Sequence, residues 1–432
     1  MKSLWETTVN KPKFEALKGD KKTDVLIIGG GIAGVLCALE LQNAGVDYIL
    51  AEADCIGKGV TENTTAKITS QHGLIYSKIF KNYGIEIAKG YLEANQKAVE
   101  KYKNMCLDID CDFEIKPSFV YSRTKRNIIE KEAEVLQKIG FNAKFTQKTE
   151  LPFNVAGALE FQNQAQFNPL KFLYSISKGL NIYENTRVKE LVGNTAYTDR
   201  GKITAEKIIV ATHFPFINKH GMYFVKMYQH RSYVLGLKNA ENLDGMYVDE
   251  NLKGLSFRDY GDLLLLSGGS HRTGKQGGSY NELRREALKY YPKSEEVYHF
   301  ATQDCITLDG IPYIGQYSKS TQNLYTATGF NKWGMTSSMV AAEVLRDKIL
   351  GVKNPYSEIF NPSRNMLFSK LLINGFEAVC GMLYPTAKRC PHLGCALKWN
   401  KCEHTWDCSC HGSRFSEDGK LIDNPATGDL KR

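Results

Sequence analysis

The chain has 432 residues, of which 42% are hydrophobic and 24% are charged. These values are typical of globular proteins, so they exclude disordered, collagen-like and coiled-coil classes and predict two or three domains with a buried core. The formal net charge is +9, with 56 basic residues spread among 47 acidic ones rather than gathered into runs. This pattern disfavours nucleic-acid binding and leaves an acidic protein partner or an anionic substrate open.

The N-terminal sequence predicts neither export nor a membrane span. Met1, Lys2 and Ser3 lead into a polar run without an apolar core, which predicts a cytoplasmic protein. The longest apolar stretch, residues 25–41, is broken by glycines and contains Glu40, so we expect no transmembrane segment. Six of the eleven cysteines lie within residues 380–410, and such crowding in a cytosolic chain indicates metal or redox chemistry.

The opening segment predicts a β-α-β unit. Its strands are expected at 24–28 and 47–51, on either side of a helix at 32–44. Further along, apolar runs predict strands at 202–211 and 263–266, and helical spacing predicts a helix at 338–350.

Two later stretches mix charged helices with alternating strands, and we expect them to form a second, substrate-facing domain inserted into the first. A proline-containing linker and a cysteine-rich tail follow. The predicted boundaries are 1–83, 154–220 and 301–353 for the first domain, 84–153 and 221–300 for the second, 354–389 for the linker and 390–432 for the tail.

A dinucleotide-binding fingerprint lies in the opening unit. Gly29, Gly31 and Gly34 form G-x-G-x-x-G between the first strand and the helix, and Glu52 ends the next strand. The glycines permit a tight turn, close approach of the backbone to a pyrophosphate and close packing of helix on sheet, while the acidic residue accepts hydrogen bonds from a ribose. The alternative, a glycine-rich turn without a ligand, is disfavoured by this context.

The same region resembles the FAD-dependent superfamily of D-amino acid oxidase and glycine oxidase. The likeness runs through "DVLIIGGGIAGVLCALEL", "GVTENTTAKIT", "ENTRVKEL", "IIVATHFP" and "LYTATGFNKWGMTSS", which together span nearly all of residues 24–350. It implies an α/β (α+β) fold: a Rossmann-like FAD-binding domain with an inserted antiparallel-sheet substrate domain. The FAD-binding residues that it implies are Gly29, Gly31, Ile32, Ala33, Gly34, Glu52, Ala53, Thr61, Thr64, Thr65, Ala66, Val188, Ala211, Thr212, Gly329, Gly334, Met335 and Thr336.

The tail contains two cysteine and histidine boxes. Residues 390–395 read CPHLGC and residues 408–413 read CSCHGS, which gives the spacing C-x-H-x15-C-x2-H. Both boxes resemble the Rieske [2Fe-2S] family, and the resemblance implies a small all-β tail in which two cysteines bind one iron and two histidines the other. The implied ligands are Cys390, His392, Cys408 and His411.

The resemblance also implies a disulfide between Cys395 and Cys410, which would be exceptional in a reducing cytosol unless it is buried. A structural zinc ion on the two cysteines and two histidines is the alternative to the cluster, although C-x-H spacing is unusual for zinc.

We interpret the chain as an FAD-dependent dehydrogenase. The sequence shows no second dinucleotide fingerprint for a nicotinamide and no 2-His-1-carboxylate iron motif, so an organic substrate is expected to reduce the flavin and the tail to relay electrons. The superfamily resemblance implies hydride transfer to flavin from a small amine, amino acid or related compound. Electrons would then pass singly through the cluster to a partner protein or quinone. The alternative is a redox-sensing or electron-transfer module without a small substrate.

Three motifs supply candidate catalytic residues. His72 lies in "TSQHG", His230 and Arg231 in "QHRSY", and His271 in "GGSHRTG". The histidines are candidates for proton transfer and Arg231 for binding an anionic group. For each histidine the alternative is a structural hydrogen-bonding role.

Overall fold

The computed structural model describes residues 3–217, 220–275, 277–365, 375, 381–382, 386 and 388–430. Cys380, one of the tail cysteines, lies outside these residues. Within the described part, no helix is both long enough and apolar enough to cross a bilayer.

Helices and strands alternate along most of the chain. In chain order the helices are α1 (Ile32–Asn43), α2 (Tyr76–Tyr83), α3 (Ile85–Met105), α4 (Arg126–Lys138), α5 (Pro169–Ile176), α6 (Tyr223–Lys226), α7 (Tyr280–Tyr290) and α8 (Gly334–Leu350), preceded by a 3-10 turn at Trp5–Thr7. The strands are β1 (Lys21–Ile28), β2 (Tyr48–Ala51), β3 (Lys67–Ile68), β4 (Glu114–Ser122), β5 (Lys144–Thr146), β6 (Gly157–Gln166), β7 (Ile182–Tyr183), β8 (Val188–Val192), β9 (Thr195–Thr198), β10 (Lys202–Val210), β11 (Met227–Lys238), β12 (Met246–Asp249), β13 (Ser256–Tyr260), β14 (Leu263–Arg272), β15 (Glu295–Thr307), β16 (Tyr313–Gln316), β17 (Leu324–Thr328), β18 (Leu397–Asn400), β19 (Thr405–Cys408), β20 (Arg414–Ser416) and β21 (Leu421–Asp423).

The first sheet has the strand order β16-β17-β10-β1-β2-β7, with β8 and β9 as a hairpin beside β10. Strand β1 pairs in parallel with both β2 and β10, and its last residue, Ile28, lies opposite Ala51 and Val210. The predicted β-α-β unit is confirmed. Because the carboxyl ends of these three strands meet at one edge, the loops that follow them lie together there.

The second sheet has the order β15-β11-β14-β13-β12-β4-β6-β3, with β5 beside β6. Its pairings are antiparallel except between β4 and β12. Strand β6 and the end of β15 belong to this sheet, although sequence analysis assigned residues 154–220 and 301–353 to the first domain. The pairing of β6 depends on β4, which lies far away in sequence, so the local pattern of residues 157–166 did not reveal it.

The tail forms a third, antiparallel sheet in the order β18-β19-β20-β21. Its core is small, and its members are Cys390, Cys395, Leu397, Cys408, Cys410, Phe415 and Ala426. This sheet confirms the predicted small all-β tail.

A buried ion pair between Arg364 and Asp309 holds the segment that follows α8. The guanidinium of Arg364 contacts both carboxylate oxygens of Asp309, with Nε to Oδ2 at 2.7 Å and Nη2 to Oδ1 at 2.9 Å. Burial raises the pKa of Asp309, but the charge and hydrogen bonds of Arg364, together with hydrogen bonds from the Ile311 N–H and the Tyr83 hydroxyl, outweigh burial and hold that pKa below its usual range. The charged pair therefore contributes stability above the ordinary carboxyl pKa and loses it as the pH falls.

We expect Arg364→Met to lower the free energy of unfolding by about 3–5 kcal/mol near neutral pH, since it leaves a buried carboxylate without its partner. The difference from the unchanged protein should shrink as the solution is acidified through the pKa of Asp309, because protonation removes the unpaired charge. Denaturant unfolding across pH measures both effects. As a control, Arg126→Met breaks an exposed pair with Glu130 and should cost less than about 1 kcal/mol. Equal costs for the two substitutions would contradict the prediction.

Candidate functional site

The loop after β1 has no room for side chains at two of its glycines. Gly29 has a φ of +111°, and a Cβ there would lie 2.7 Å from the carbonyl oxygen of Ala211. A Cβ on Gly34 would lie 1.8 Å from the carbonyl oxygen of Gly29. Helix α1 begins directly behind this loop, with Gly31 at its N-cap and a hydrogen bond from the Ile32 N–H to Thr61 Oγ1 of 3.1 Å. The packing presents a helix N-terminus at the sheet edge, which suits a pyrophosphate.

Glu52 lies beside this loop, directly after β2, and its side chain is half-buried. Its Oε2 accepts a hydrogen bond from the Gly30 N–H at 2.6 Å, and its Oε1 accepts one from the Asp54 N–H at 2.8 Å. Burial raises the pKa of Glu52, although both N–H groups act against that shift. Each carboxylate oxygen keeps a lone pair for a ribose hydroxyl, so the residues fit the adenosine half of FAD.

The other residues implied for FAD fall in three places. The first is at or beside strand ends of the two larger sheets, where Ala53, Ala66, Val188, Ala211, Thr212 and Gly329 lie. Thr64, Thr65, Gly334 and Met335 line a cavity of about 830 Å³. Ala33 is buried in the first turn of α1, and Thr336 is buried in the first turn of α8.

This cavity, which we call the central cavity, has the second sheet as one wall. Along β11 the lining residues alternate in sequence, and they are Tyr228, His230, Ser232 and Val234. Strand β15 lines the cavity with Thr302, Asp304, Ile306 and Thr307, and strand β14 lines it with Ser267, Gly268, Ser270, His271 and Arg272. The segment before α8 and the loop around His72 form other parts of the lining. The size is typical of a site that encloses a small molecule.

His72 is held by hydrogen bonds on both ring nitrogens. Nδ1 lies 2.7 Å from the hydroxyl of Tyr91, and Nε2 lies 2.8 Å from the carbonyl oxygen of Thr69 and 2.9 Å from Thr336 Oγ1. Its ring stacks on Trp333. Burial lowers the pKa of His72 to about 3, so the imidazole is neutral. This geometry favours the structural alternative, in which His72 supports the start of α8.

His230 faces the central cavity. Its Nδ1 is buried and makes no hydrogen bond to a residue in the described part of the chain. Burial, reinforced by nearby positive charges such as Lys332, lowers the pKa of His230 to about 3. Across the strands it lies opposite Asp304, whose pKa burial raises to about 6. A neutral imidazole and a carboxyl that titrates near neutrality therefore share this wall.

Arg231 does not line the cavity, in contrast to the expected role as a clamp for substrate anions. Successive side chains of a strand point to opposite faces, so Arg231 points away from His230. Its guanidinium forms a buried pair with both carboxylate oxygens of Glu403 in the tail, with one contact, Nε to Oε1, at 2.9 Å. Although burial opposes it, the pair with Arg231 and Arg414 lowers the pKa of Glu403 to about 2.

His271 pairs with Arg231 across β11 and β14, and its ring stacks on Tyr233. It is among the lining residues at one edge of the cavity. Burial lowers its pKa, so the ring is neutral at physiological pH.

Two cationic side chains that the sequence did not single out, Arg272 and Lys332, also line the central cavity. Arg272 lies over the ring of Tyr228, with 4.8 Å from Cζ to the ring centroid. Lys332 donates hydrogen bonds to Ser232 Oγ at 2.9 Å and Ser270 Oγ at 3.2 Å. The motif "GGSHRTG" that contains His271 also contains Arg272 and was the available signal for it, while Lys332 lies in a turn whose direction no local pattern reveals.

The two boxes of the tail form a pair of matching loops. The N–H of Gly394 donates to the carbonyl of Cys390 at 2.9 Å, and the N–H of Gly412 donates to the carbonyl of Cys408 at 2.9 Å. Both glycines have positive φ, which favours glycine. The disulfide that the resemblance implied joins the loops, with a Cα–Cα distance of 6.4 Å between Cys395 and Cys410.

The four expected ligands converge between the loops. The rings of His392 and His411 lie 5.0 Å apart, and Cys390 and Cys408 are buried beside each other as free thiols. A hydrogen bond from Cys408 lowers the pKa of Cys390 to about 7, against the effect of burial. Both ring nitrogens of His411 are buried and make no hydrogen bond to a described residue.

Burial lowers the pKa of His392 to about 4 and that of His411 to about 3, which leaves neutral imidazoles suited to metal binding. Two thiols and two neutral imidazoles at this spacing fit a Rieske cluster, in which thiolates bind one iron and imidazoles the other.

Comparison with known families agrees with this geometry. Residues 24–348 match the family of FAD dependent oxidoreductases (DAO), and residues 368–432 match the Rieske [2Fe-2S] domain. The chain belongs to the FAD dependent oxidoreductase family. This oxidoreductase uses FAD and a Rieske [2Fe-2S] cluster as its cofactors, and the match of the tail favours the cluster over structural zinc.

Several relatives of this FAD-dependent oxidoreductase are similar over most of their length. A protein of Bacillus subtilis (strain 168), YhfW, named for a Rieske 2Fe-2S centre, is 35% identical over 493 aligned positions that span 100% of this chain and 97% of YhfW. Gamma-glutamylputrescine oxidoreductase of Escherichia coli (strain K12) is 24% identical over 81% of this chain and 89% of its own. The crystal structure of glycine oxidase from Geobacillus kaustophilus aligns with a TM-score of 0.66 at 18% identity, over 80% of this chain and 100% of that one, and shows the shared fold.

The crowding at Gly34 gives a test of the FAD loop. We expect Gly34→Ala to abolish FAD binding, because its new Cβ collides with backbone that no side-chain movement can relieve. The measurement is the flavin absorbance per chain of the purified protein. Gly428→Ala is the control, since nothing lies within 4 Å of a Cβ there. A Gly34→Ala protein with a full complement of flavin would contradict this account.

The cluster ligands give a second test. We expect Cys408→Ser to lose iron and acid-labile sulfide while keeping flavin, because the two cofactors are held by different parts of the chain. Cys402→Ser changes a partly exposed tail cysteine outside the ligand set and should keep full iron content. The expectation fails if Cys408→Ser retains its iron, or if the unchanged protein contains zinc in place of iron.

Proposed function

We propose that this oxidoreductase oxidises a small amine, amino acid or related compound and passes the electrons one at a time through its Rieske cluster to a partner protein or quinone. The observation that carries the proposal is the position of the second sheet. One face of β11 and β15 lines the central cavity, and the other face of the same two strands contacts the tail. A single layer of backbone separates the two sites.

The charges of the central cavity support an anionic or zwitterionic substrate. Arg272 and Lys332 bring positive charge to the sheet wall. A carboxylate group on the substrate would be attracted by both. This charged cavity, whose size suits a small molecule, favours an enzyme over a redox module without a small substrate.

Two groups on the same wall suit proton transfer. The carboxyl of Asp304, with its pKa raised to about 6, is partly ionised near neutral pH and accepts a proton from a substrate ammonium group in that state. The neutral imidazole of His230 also lines the cavity. Removal of the ammonium proton leaves the lone pair that an amine needs before its carbon–nitrogen bond can be oxidised.

When bound, FAD supplies the two-electron oxidation and the cluster supplies one-electron transfer. For an amine, a carbon–hydrogen bond and a nitrogen–hydrogen bond of the substrate break and a carbon–nitrogen double bond forms. The substrate loses two electrons and two protons, and the acceptor takes up the electrons in two single steps.

The names of the relatives agree with this substrate class. Gamma-glutamylputrescine oxidoreductase is named for an amine, and the glycine oxidase neighbour for an amino acid. YhfW, which matches this chain throughout its length, is named for the iron–sulfur centre. The combination supports an amine or amino acid donor upstream of a Rieske cluster.

An anaerobic screen of amines and amino acids tests the proposal. A substrate should bleach the flavin absorbance, and the EPR signal of the reduced cluster should then appear. With the same substrate, Cys408→Ser should still bleach its flavin but reduce a one-electron acceptor such as cytochrome c far more slowly. Rapid hydrogen peroxide production while the cluster stays oxidised during turnover would contradict the proposal.

A further inference from the structure

Side chains of β11 and β15 alternate between the central cavity and the tail. On β11, Tyr228 and His230 line the cavity, whereas Gln229 between them contacts the tail. On β15, Thr302 and Asp304 line the cavity, whereas Gln303 between them contacts the tail. The two glutamines therefore lie directly behind the cavity wall.

These glutamines form a buried chain of amide hydrogen bonds with the second cluster loop. Gln229 Nε2 donates to the carbonyl of His411 at 2.7 Å, and Gln303 Nε2 donates to the carbonyl of Gly412 at 2.8 Å. Gln303 Nε2 also donates to Gln229 Oε1 at 2.6 Å, and the hydroxyl of Thr273 donates to Gln303 Oε1 at 2.9 Å. Because each amide oxygen accepts and each amide nitrogen donates, the bonds define one orientation for both side chains.

The cluster loop fits closely against the strands at this place. A Cβ on Gly412 would lie 2.6 Å from the Cβ of Gln229. A Cβ on Gly274, just beyond β14, would lie 2.5 Å from the backbone nitrogen of Ser409. The contact at Gly274 is therefore backbone to backbone, whereas Gly412 packs on the side chain of Gln229.

The body of the protein contacts the cluster loop of His411 more than the cluster loop of His392. His411 is fully buried and lies near the rings of Phe214 and Phe224 of the body. His392, in the other loop, is partly exposed between the exposed residues Pro391 and Gly394. The imidazole on the side of the flavoprotein body is therefore that of His411.

We propose that Gln229 and Gln303 are positioning residues that hold the His411 loop against the cavity wall, and that electrons cross from the cavity to the cluster through this contact. The proposal rests on the proposed function, since it assigns a route to the relay. Two electrons leave each substrate molecule, so the contact is crossed twice per turnover, and a one-electron acceptor protein or quinone removes each electron in turn.

The test uses the holoenzyme and needs no knowledge of the substrate. The flavin is reduced by a light flash with EDTA as the sacrificial donor, and reduction of the cluster is then followed by its absorbance and EPR signal. In Gln229→Met and Gln303→Met, the rate of cluster reduction should fall about tenfold, which corresponds to about 1.4 kcal/mol. Gln137→Met, an exposed position on α4, is the matched control and should behave as the unchanged protein.

A positioning role differs from a merely structural one in its other readouts. Iron and sulfide content, the EPR g values and the midpoint potential should stay the same in both variants, because neither glutamine touches a ligand atom. The double variant should slow transfer by less than the product of the single effects, because the two amides share a hydrogen bond. Unchanged transfer rates in variants with full cluster content would overturn the proposal while leaving the proposed function intact.

Two further outcomes are informative. If the methionine variants lose the cluster, the Thr273→Val variant tests the route instead, because it removes only the hydrogen bond to Gln303 Oε1. Slower electron transfer with an intact cluster would support the route, and an unchanged transfer rate would overturn it. If flash-reduced flavin fails to reduce the cluster in the unchanged protein, both the proposed relay of electrons to the cluster and the route proposed for it are wrong.

Discussion

The alternation of side chains along β11 and β15 is the constraint on which the organisation of this oxidoreductase depends. A strand offers its two faces to two different environments, and here one is the central cavity and the other the iron–sulfur tail. Neighbouring residues consequently have unlike tasks. His230 faces the cavity, while Arg231, the next residue, binds Glu403 in the tail.

The tail depends on this wall for its place. Its own core is small, so the disulfide and the contacts with the second sheet supply much of its order. The Arg231 and Glu403 pair continues into Arg414, whose guanidinium also contacts Asp407 at 3.1 Å and Asp423 at 3.0 Å. Each charged side chain in this network has an oppositely charged neighbour. Removal of one would leave its neighbour as an unpaired charge, which is energetically costly where that neighbour is buried.

Close packing and paired polar groups also organise the flavoprotein body. Gly29 and Gly34 let backbone approach backbone, and the carboxylate of the half-buried Glu52 accepts hydrogen bonds from two N–H groups. On the cavity side, Lys332 rests on the hydroxyls of two serines. Close backbone packing thus shapes the loop that suits the dinucleotide, while buried and titratable side chains shape the central cavity, where we propose that the reaction occurs.

Local sequence was sufficient for the β-α-β unit and the glycine loop, because each depends on residues close together in the chain, whereas the small tail sheet was implied by the resemblance of the two cluster boxes to the Rieske family. It could not show that β6 pairs in the second sheet, that Arg231 turns away from the cavity, or that Lys332 and Arg272 turn toward it. It also could not place Gln229 and Gln303 behind the cluster loop. Strand partners and the direction of each face are decided by contacts between distant segments, and only the tertiary structure contains those contacts.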